Sequence, residues 1–204
     1  MTALFEGGNS HLHFAWWDGG QLVEKYDLAY GGSPNEIGDV ILKLTGGRKP
    51  CLVAACSVSL VWGGPLFRSL GTLFPENLRI AVTAADAHVR VRYDHPGSYG
   101  IDRALAAAAA YHEERDACVV VDAGTAVTVD AVDGDGTVLG GYIFPGVETL
   151  AHGLASRTGL PFVPFDERTH GEGTSTQACI GHAIAEGFPA AVRALVGSAS
   201  AAAG

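Results

Sequence analysis

Asp122, Gly124 and Thr125 place a carboxylate, a side-chain-free backbone and a hydroxyl within four residues. Glycine lets backbone N–H groups come close to a phosphate, the hydroxyl can bond its oxygens, and the acid can hold the accompanying cation directly or through water. Alone, an Asp-Ala-Gly-Thr turn is an ordinary hairpin. The pattern occurs twice, however: Phe5-Glu6-Gly7-Gly8-Asn9-Ser10 is followed 116 residues later by Val121-Asp122-Ala123-Gly124-Thr125-Ala126. Gly20 and Leu22 return at the same offset as Gly136 and Val138, with no gap. Glu6, Gly8, Asn9 and Ser10 thus supply a second acid, glycine and polar group, and two such turns facing each other would clamp a nucleotide.

A second constellation spans Tyr93 to Arg103, YDHPGSYGIDR. Asp102 and Arg103 fall in the first turn of a helix entered through Gly100. Acids are favoured at helix N-termini whatever their function, whereas a cation there opposes the dipole. An acid beside an arginine at a helix mouth suits phosphoryl transfer: the carboxylate can accept a hydroxyl proton while the guanidinium holds an anion. Gly140 and Gly141, consecutive inside a strand, suggest that something packs closely on the backbone. His11 and His13 share a strand face, but without a third histidine or a cysteine nearby they read as polar residues lining a cleft. Trp16 and Trp17 read as core and edge aromatics. Thr174, Ser175 and Thr176 are first of all helix-capping residues.

These residues need elements to carry them. Alternation and turn residues predict strands at Leu4–Phe5, Leu12–Trp17 and Gln21–Leu28, the last two joined by Asp18-Gly19-Gly20. Ser33 and Pro34 start a helix through Leu44. Strands at Cys51–Ser57 and Arg79–Thr83 flank a helix near Pro65–Phe74, and Val89–Tyr93 is extended. Ile101–Glu114, with its alanine run, is the clearest helix. Cys118–Asp122, Ala126–Val132 and Thr137–Phe144 form a second meander, followed by helices at Val147–Thr158 and about Thr176–Val196. The expected fold is α/β: two duplicated halves, 1–114 and a shorter 115–196, enclosing an interdomain cleft, with 197–204 a frayed tail.

Composition narrows the function. The hydrophobic share of 48% and charged share of 17% suit a chain with a real core. A net charge of −9 argues against nucleic acid as a partner. With ten arginines and only three lysines, a catalytic lysine is scarce. The four cysteines lack metal-site spacing and read as reduced and mostly buried. No signal peptide and no uninterrupted apolar run of membrane-spanning length is apparent, so the expectation is a cytoplasmic protein with no membrane partner.

Tyr93-x-x-Pro96-x-x-x-Gly100-x-Asp102-Arg103, then Val121 to Asp130, then Gly140-Gly141-Tyr142-Ile143-Phe144-Pro145-Gly146, together resemble the type III pantothenate kinases. The likeness runs from Glu6 to about Gly187. It implies the sugar kinase/actin superfamily, with ribonuclease-H-like (actin-like ATPase) halves, and ATP-dependent phosphorylation of pantothenate as the first step to coenzyme A. It also implies Mg2+, a monovalent cation (K+ or NH4+) and a homodimer. Carried over by position, Asp102 is the general base and Arg103 a substrate contact, with Tyr93, Gly100, Ile101 and Thr176 around the pantothenate. Asp122 and Glu6 would hold metal; Glu6, Gly7, Gly8, Asn9, Ser10, His13, Gly124 and Thr125 would bind ATP.

Three departures stand beside the likeness. Glu6 replaces the family's usual aspartate, and His13 stands where a lysine is common. The family pattern also continues beyond the last helix with a Thr-Gly-Gly stretch on the adenosine side, where this sequence reads Ser198–Gly204. Two other readings follow: a non-catalytic relative that binds a ligand or regulates a partner, and a kinase or ATPase of the same fold with another substrate.

Overall fold

Strict alternation builds the first sheet. In β1 (Thr2–Gly7) and β2 (His11–Asp18), Ala3, Phe5, Leu12, Phe14 and Trp16 are all nearly or fully buried while their neighbours are not. That period of two is the mark of a strand with one face on a core. The computed structural model, which describes residues 1–204, continues the antiparallel meander with β3 (Gln21–Ala29). A 3-10 turn at Pro34–Glu36 then leads into α1 (Ile37–Thr45). Ser33 Oγ accepts from the Asn35 N–H and the Glu36 side chain accepts from the Ser33 N–H, the reciprocal cap that starts this turn. β4 (Leu52–Ser57), α2 (Gly63–Leu73) and β5 (Leu78–Ala81) follow. Both strands join in parallel, for a sheet order β3-β2-β1-β4-β5. Ile37, Ile41, Leu66 and Leu70 of the two helices bury against the apolar face.

The second sheet repeats the meander. After β6 (Arg90–Val91) and α3 (Ile101–Glu114), strands β7 (Cys118–Ala123), β8 (Ala126–Val132) and β9 (Thr137–Pro145) run antiparallel, with β6 parallel to β9. α4 (Val147–Thr158) and α5 (Thr176–Ala203) complete the chain. Phe188, Val192, Leu195 and Val196 of α5 pack on the Val127, Val129 and Ala131 face.

The chain divides into two compact units, Met1–His88 with Gly97–Leu105, and Val89–Pro96 with Ala106–Gly204. The division falls inside α3, so Asp102 and Arg103 belong to the first unit although most of their helix belongs to the second. Both units carry the meander of a ribonuclease-H-like fold, as the sequence implied.

The structure corrects the gap-free repeat. The offset of 116 holds for β1 with β7 and for β3 with β9, but the middle strand is displaced by one residue. Leu12, Phe14 and Trp16 correspond to Val127, Val129 and Ala131, all buried. The first hairpin holds Gly8, Asn9 and Ser10 between its strands, the second only Gly124 and Thr125; the following turn restores the count. A bulge lies at Trp16/Trp17 and again at Ala131/Val132, the equivalent place.

Two further expectations need correction. The 197–204 segment is not a frayed tail: α5 continues through Ala203, and Ala199 is buried against the sheet. At 28 residues α5 is also long and apolar enough, by length and composition, to cross a membrane. Alanine raises its hydropathy without adding much apolar area; Phe188, Val192, Leu195 and Val196 pack on the second sheet, and Ile180 and Ile184 pack with Ala151 of α4. Finally, only Cys56 is buried; Cys118 is half-buried, and Cys51 and Cys179 are exposed.

Candidate active site

The first turn grows out of the partly solvated face of the first sheet. Glu6 lies opposite His13 on β2 and Cys56 on β4. Because strand side chains alternate, the three share one face. His13 Nδ1 is 3.4 Å from Asp27 Oδ1, its neighbour on β3. The rings of His11 and His13 are 6.2 Å apart. The backbone folds back at Gly8, whose N–H donates to the His11 carbonyl at 2.9 Å. Gly7 accepts twice, from the Ser57 hydroxyl at 2.7 Å and the Val58 N–H at 3.1 Å. A Cβ on Gly7 would come within 2.7 Å of Ser57 Oγ, which is why glycine closes this strand.

Asp102 reaches the same unit from the mouth of α3. Its Oδ1 accepts from the Arg103 N–H at 2.8 Å. A Cβ at Gly100 would stand 2.5 Å from that Oδ1, so a side chain there would push the Asp102 carboxylate out of this position. Ile101 is buried and anchors the turn. Arg103 is 5% exposed, with its guanidinium carbon 4.6 Å from the Tyr99 ring centre. A cation so desolvated binds an anion more strongly than one in water.

Cys56 reports how these groups gather. Burial pushes its thiol up to about 12, and the carboxylates of Glu6 and Asp102 add to the shift. The acid of the first turn and the acid of the helix mouth therefore act on one buried atom. A thiol held that high stays protonated at neutral pH and is a poor nucleophile. Brief iodoacetamide treatment of the native protein at pH 8 is expected to alkylate Cys51 and Cys179 and spare Cys56 until unfolding. Peptide mass mapping reads this directly, and early Cys56 labelling would contradict the buried environment.

The second turn is held by α4. Gly124 N–H donates to the Ala126 carbonyl at 2.9 Å, and Gly146 N–H donates to the Thr125 carbonyl at 3.0 Å. The Thr149 hydroxyl reaches the same carbonyl at 2.6 Å. Asp122, Gly124 and Thr125 are exposed, and Asp122 lies opposite Thr128. Gly146 caps α4 and packs so closely that a Cβ would collide with the Gly124 carbonyl. The positive end of α4 thereby abuts the turn. Gly141 is tight for a related reason: a Cβ would strike the Val129 carbonyl. Tyr93 is half-buried in the second unit beside Arg92, whose N–H donates to the Val138 carbonyl at 2.8 Å. Thr176 opens α5 behind the Ser175 cap and is exposed.

The structure thus joins Glu6, His13 and Asp102 within the first unit, and Asp122, Gly124 and Thr125 within the second. No group of three or more His, Cys, Asp or Glu side chains is placed to hold a metal ion between them. Sequence reasoning missed Asp27, Ser57, Cys56 and Thr149. Asp27 was within reach of a register argument across β2 and β3; the others depend on contacts distant in sequence.

Fold and residues define a class: an actin-like ATPase fold carrying paired acid–glycine turns and a helix-mouth carboxylate. Within that class the chain belongs to the type III pantothenate kinase family, whose profile matches residues 4–198. A type III pantothenate kinase from Halorhodospira halophila is 33% identical over 96% of this chain and 79% of its own length. One from Desulfovibrio desulfuricans is 34% identical over 94% and 77%. Among solved structures, a conserved Baf family transcriptional activator from Campylobacter jejuni shares the fold, with a TM-score of 0.55 and 21% identity, covering 95% of this chain and 78% of that one.

Proposed function

We propose that this chain transfers the γ-phosphoryl group of ATP to the terminal hydroxyl of pantothenate, giving 4'-phosphopantothenate, the first step of coenzyme A biosynthesis. The observation that carries this reading is the gathering of Asp102 and Glu6 about Cys56, in a chain of this family. Asp102 uses its second carboxylate oxygen to take the hydroxyl proton. The substrate oxygen forms a bond to the γ-phosphorus as the bond to the ADP oxygen breaks. Arg103 receives the pantothenate carboxylate, and Tyr93, Gly100, Ile101 and Thr176 shape its pocket. The first turn, Gly7, Gly8, Asn9 and Ser10 with His13, and the second turn, Gly124 and Thr125, contact the phosphates, the glycines by letting them come close and the polar residues by hydrogen bonding.

Glu6 in the first turn and Asp122 in the second are each a carboxylate of the kind that holds Mg2+, which takes few protein ligands and keeps waters and phosphate oxygens for the rest. Bound there, the ion would neutralise charge on the phosphates. A monovalent cation, a homodimeric state and a cytoplasmic location belong to the same proposal.

Glu6→Asp shortens the acid by one methylene and is expected to keep or raise kcat; abolished turnover would refute the role given to this side chain. The reading as a whole is tested by coupled ADP release with ATP, Mg2+, K+ and pantothenate. ADP release dependent on pantothenate supports it. ADP release without pantothenate points to another substrate. Thermal stabilisation by ligands without turnover points to a non-catalytic relative.

A further inference from the structure

The two ends of the first turn are connected by a circuit that runs outside the turn itself. The Gly7 carbonyl accepts from Ser57 Oγ at 2.7 Å. Ser57 Oγ accepts from the Ser59 N–H at 3.1 Å, and Ser59 Oγ accepts from the Trp62 N–H at 3.1 Å. The Trp62 ring stacks on Tyr30 with centroids 4.0 Å apart and planes 4° from parallel. Tyr30 closes the circuit by donating its backbone N–H to the Ser10 carbonyl at 3.0 Å. Ser59 is 8% exposed, so its share of the circuit is shielded from water.

We propose that this circuit is a brace that sets the spacing between Gly7 and Ser10, and that Tyr30 and Trp62 are positioning residues for nucleotide binding by the turn. The nucleotide part rests on the function proposed above. The turn has three residues between its strands, Gly8, Asn9 and Ser10, all with small side chains or none. A loop that must present N–H groups to phosphate oxygens gains from being held open before the ligand arrives. Stacked rings suit such a strut, because offset aromatic contact resists sliding without needing a polar partner. The Tyr30 hydroxyl is buried and makes no hydrogen bond, so the brace uses the ring and the backbone and leaves the phenol idle. Burial pushes the phenol up to about 12, and the nearby Glu6, the acid of the turn, adds to the shift.

The test pairs amide hydrogen exchange with steady-state kinetics on the full chain. Trp62→Ala is expected to speed exchange of the Tyr30 and Gly8 amides roughly tenfold while the Phe14 amide in the core stays protected. The KM for ATP should rise roughly tenfold, with the KM for pantothenate unchanged. Trp62→Phe and Tyr30→Phe retain a ring and should restore both quantities. Ser59→Ala breaks the circuit without removing a ring and should reproduce both effects at about threefold, so a poorly folding Trp62→Ala does not end the test. Unchanged exchange in Ser59→Ala, or Tyr30→Phe as damaging as Tyr30→Ala, overturns the brace. Faster exchange with an unaltered KM for ATP overturns its positioning role. A wild-type protein that binds no ATP overturns the underlying reading, and the exchange result then still decides the brace.

Discussion

Asp102→Asn is expected to lower kcat by about 10²- to 10⁴-fold, the usual worth of a positioned general base, with a melting temperature close to that of the parent. The two side chains have the same shape. The amide oxygen can still accept from the Arg103 N–H, as Oδ1 does at 2.8 Å, and it still fits beside Gly100. What is lost is the capacity to take a proton from the attacking hydroxyl. The helix end also loses a favourable charge, which costs about 0.3–1 kcal/mol and shows as a small shift in a thermal melt. KM values for ATP and pantothenate should move little, because the group acts on the reacting hydroxyl. Stopped-time ADP assays read the kcat loss; near-native turnover would remove Asp102 from the role of base.

Gly146→Ala is expected to destabilise the second unit by about 1–3 kcal/mol, the range for forced overpacking, and to weaken ATP binding at the second turn. The backbone angles at this position, φ −63° and ψ 163°, suit any residue. The difficulty is space: the new methyl would run into the Gly124 carbonyl and stand 2.8 Å from the Thr125 oxygen. Either α4 retreats and the Gly146–Thr125 hydrogen bond is lost, or the turn deforms. Gly153, in the middle of the same helix, has open space around it. Gly153→Ala should instead stabilise by about 0.5–1 kcal/mol through helix propensity. Opposite signs from the same substitution, seven residues apart on one helix, would separate crowding from propensity in a single pair of denaturant titrations. Two stabilised variants would refute the close approach.

The bounds of α3, α4 and β8 were legible in the sequence because local signals agree: alanine content, caps and alternation point the same way. The sequence ends α5 too early, at Val196, because 197–204 is small-residue and low in complexity. Its small side chains are what let Ala199 lie flat on β8. Asp102 and Gly100 could be read as a helix mouth from their order alone. Cys56 could not be placed next to Glu6, because the parallel pairing of β1 with β4 crosses 50 residues and has no local signature. Thr149 was missed for a similar reason, as its partner is a carbonyl rather than a motif side chain. The one-residue displacement of the middle strand was invisible to an offset that matched on both sides of it.

That displacement has a consequence for anyone recombining the two halves. A strand with one buried face has only two phases, and a net change of one residue swaps them. Here the longer first hairpin is balanced by a shorter second one, so β2 and β8 stay in phase with their neighbours despite unequal loops. The halves therefore keep a fixed sum of turn, strand and turn, Gly8–Gly20 in the first and Gly124–Gly136 in the second, while the parts trade length. A graft of the first turn alone into the second half would put Val127, Val129 and Ala131 out of phase by one residue, whereas a graft of the whole meander brings its own buried residues in phase.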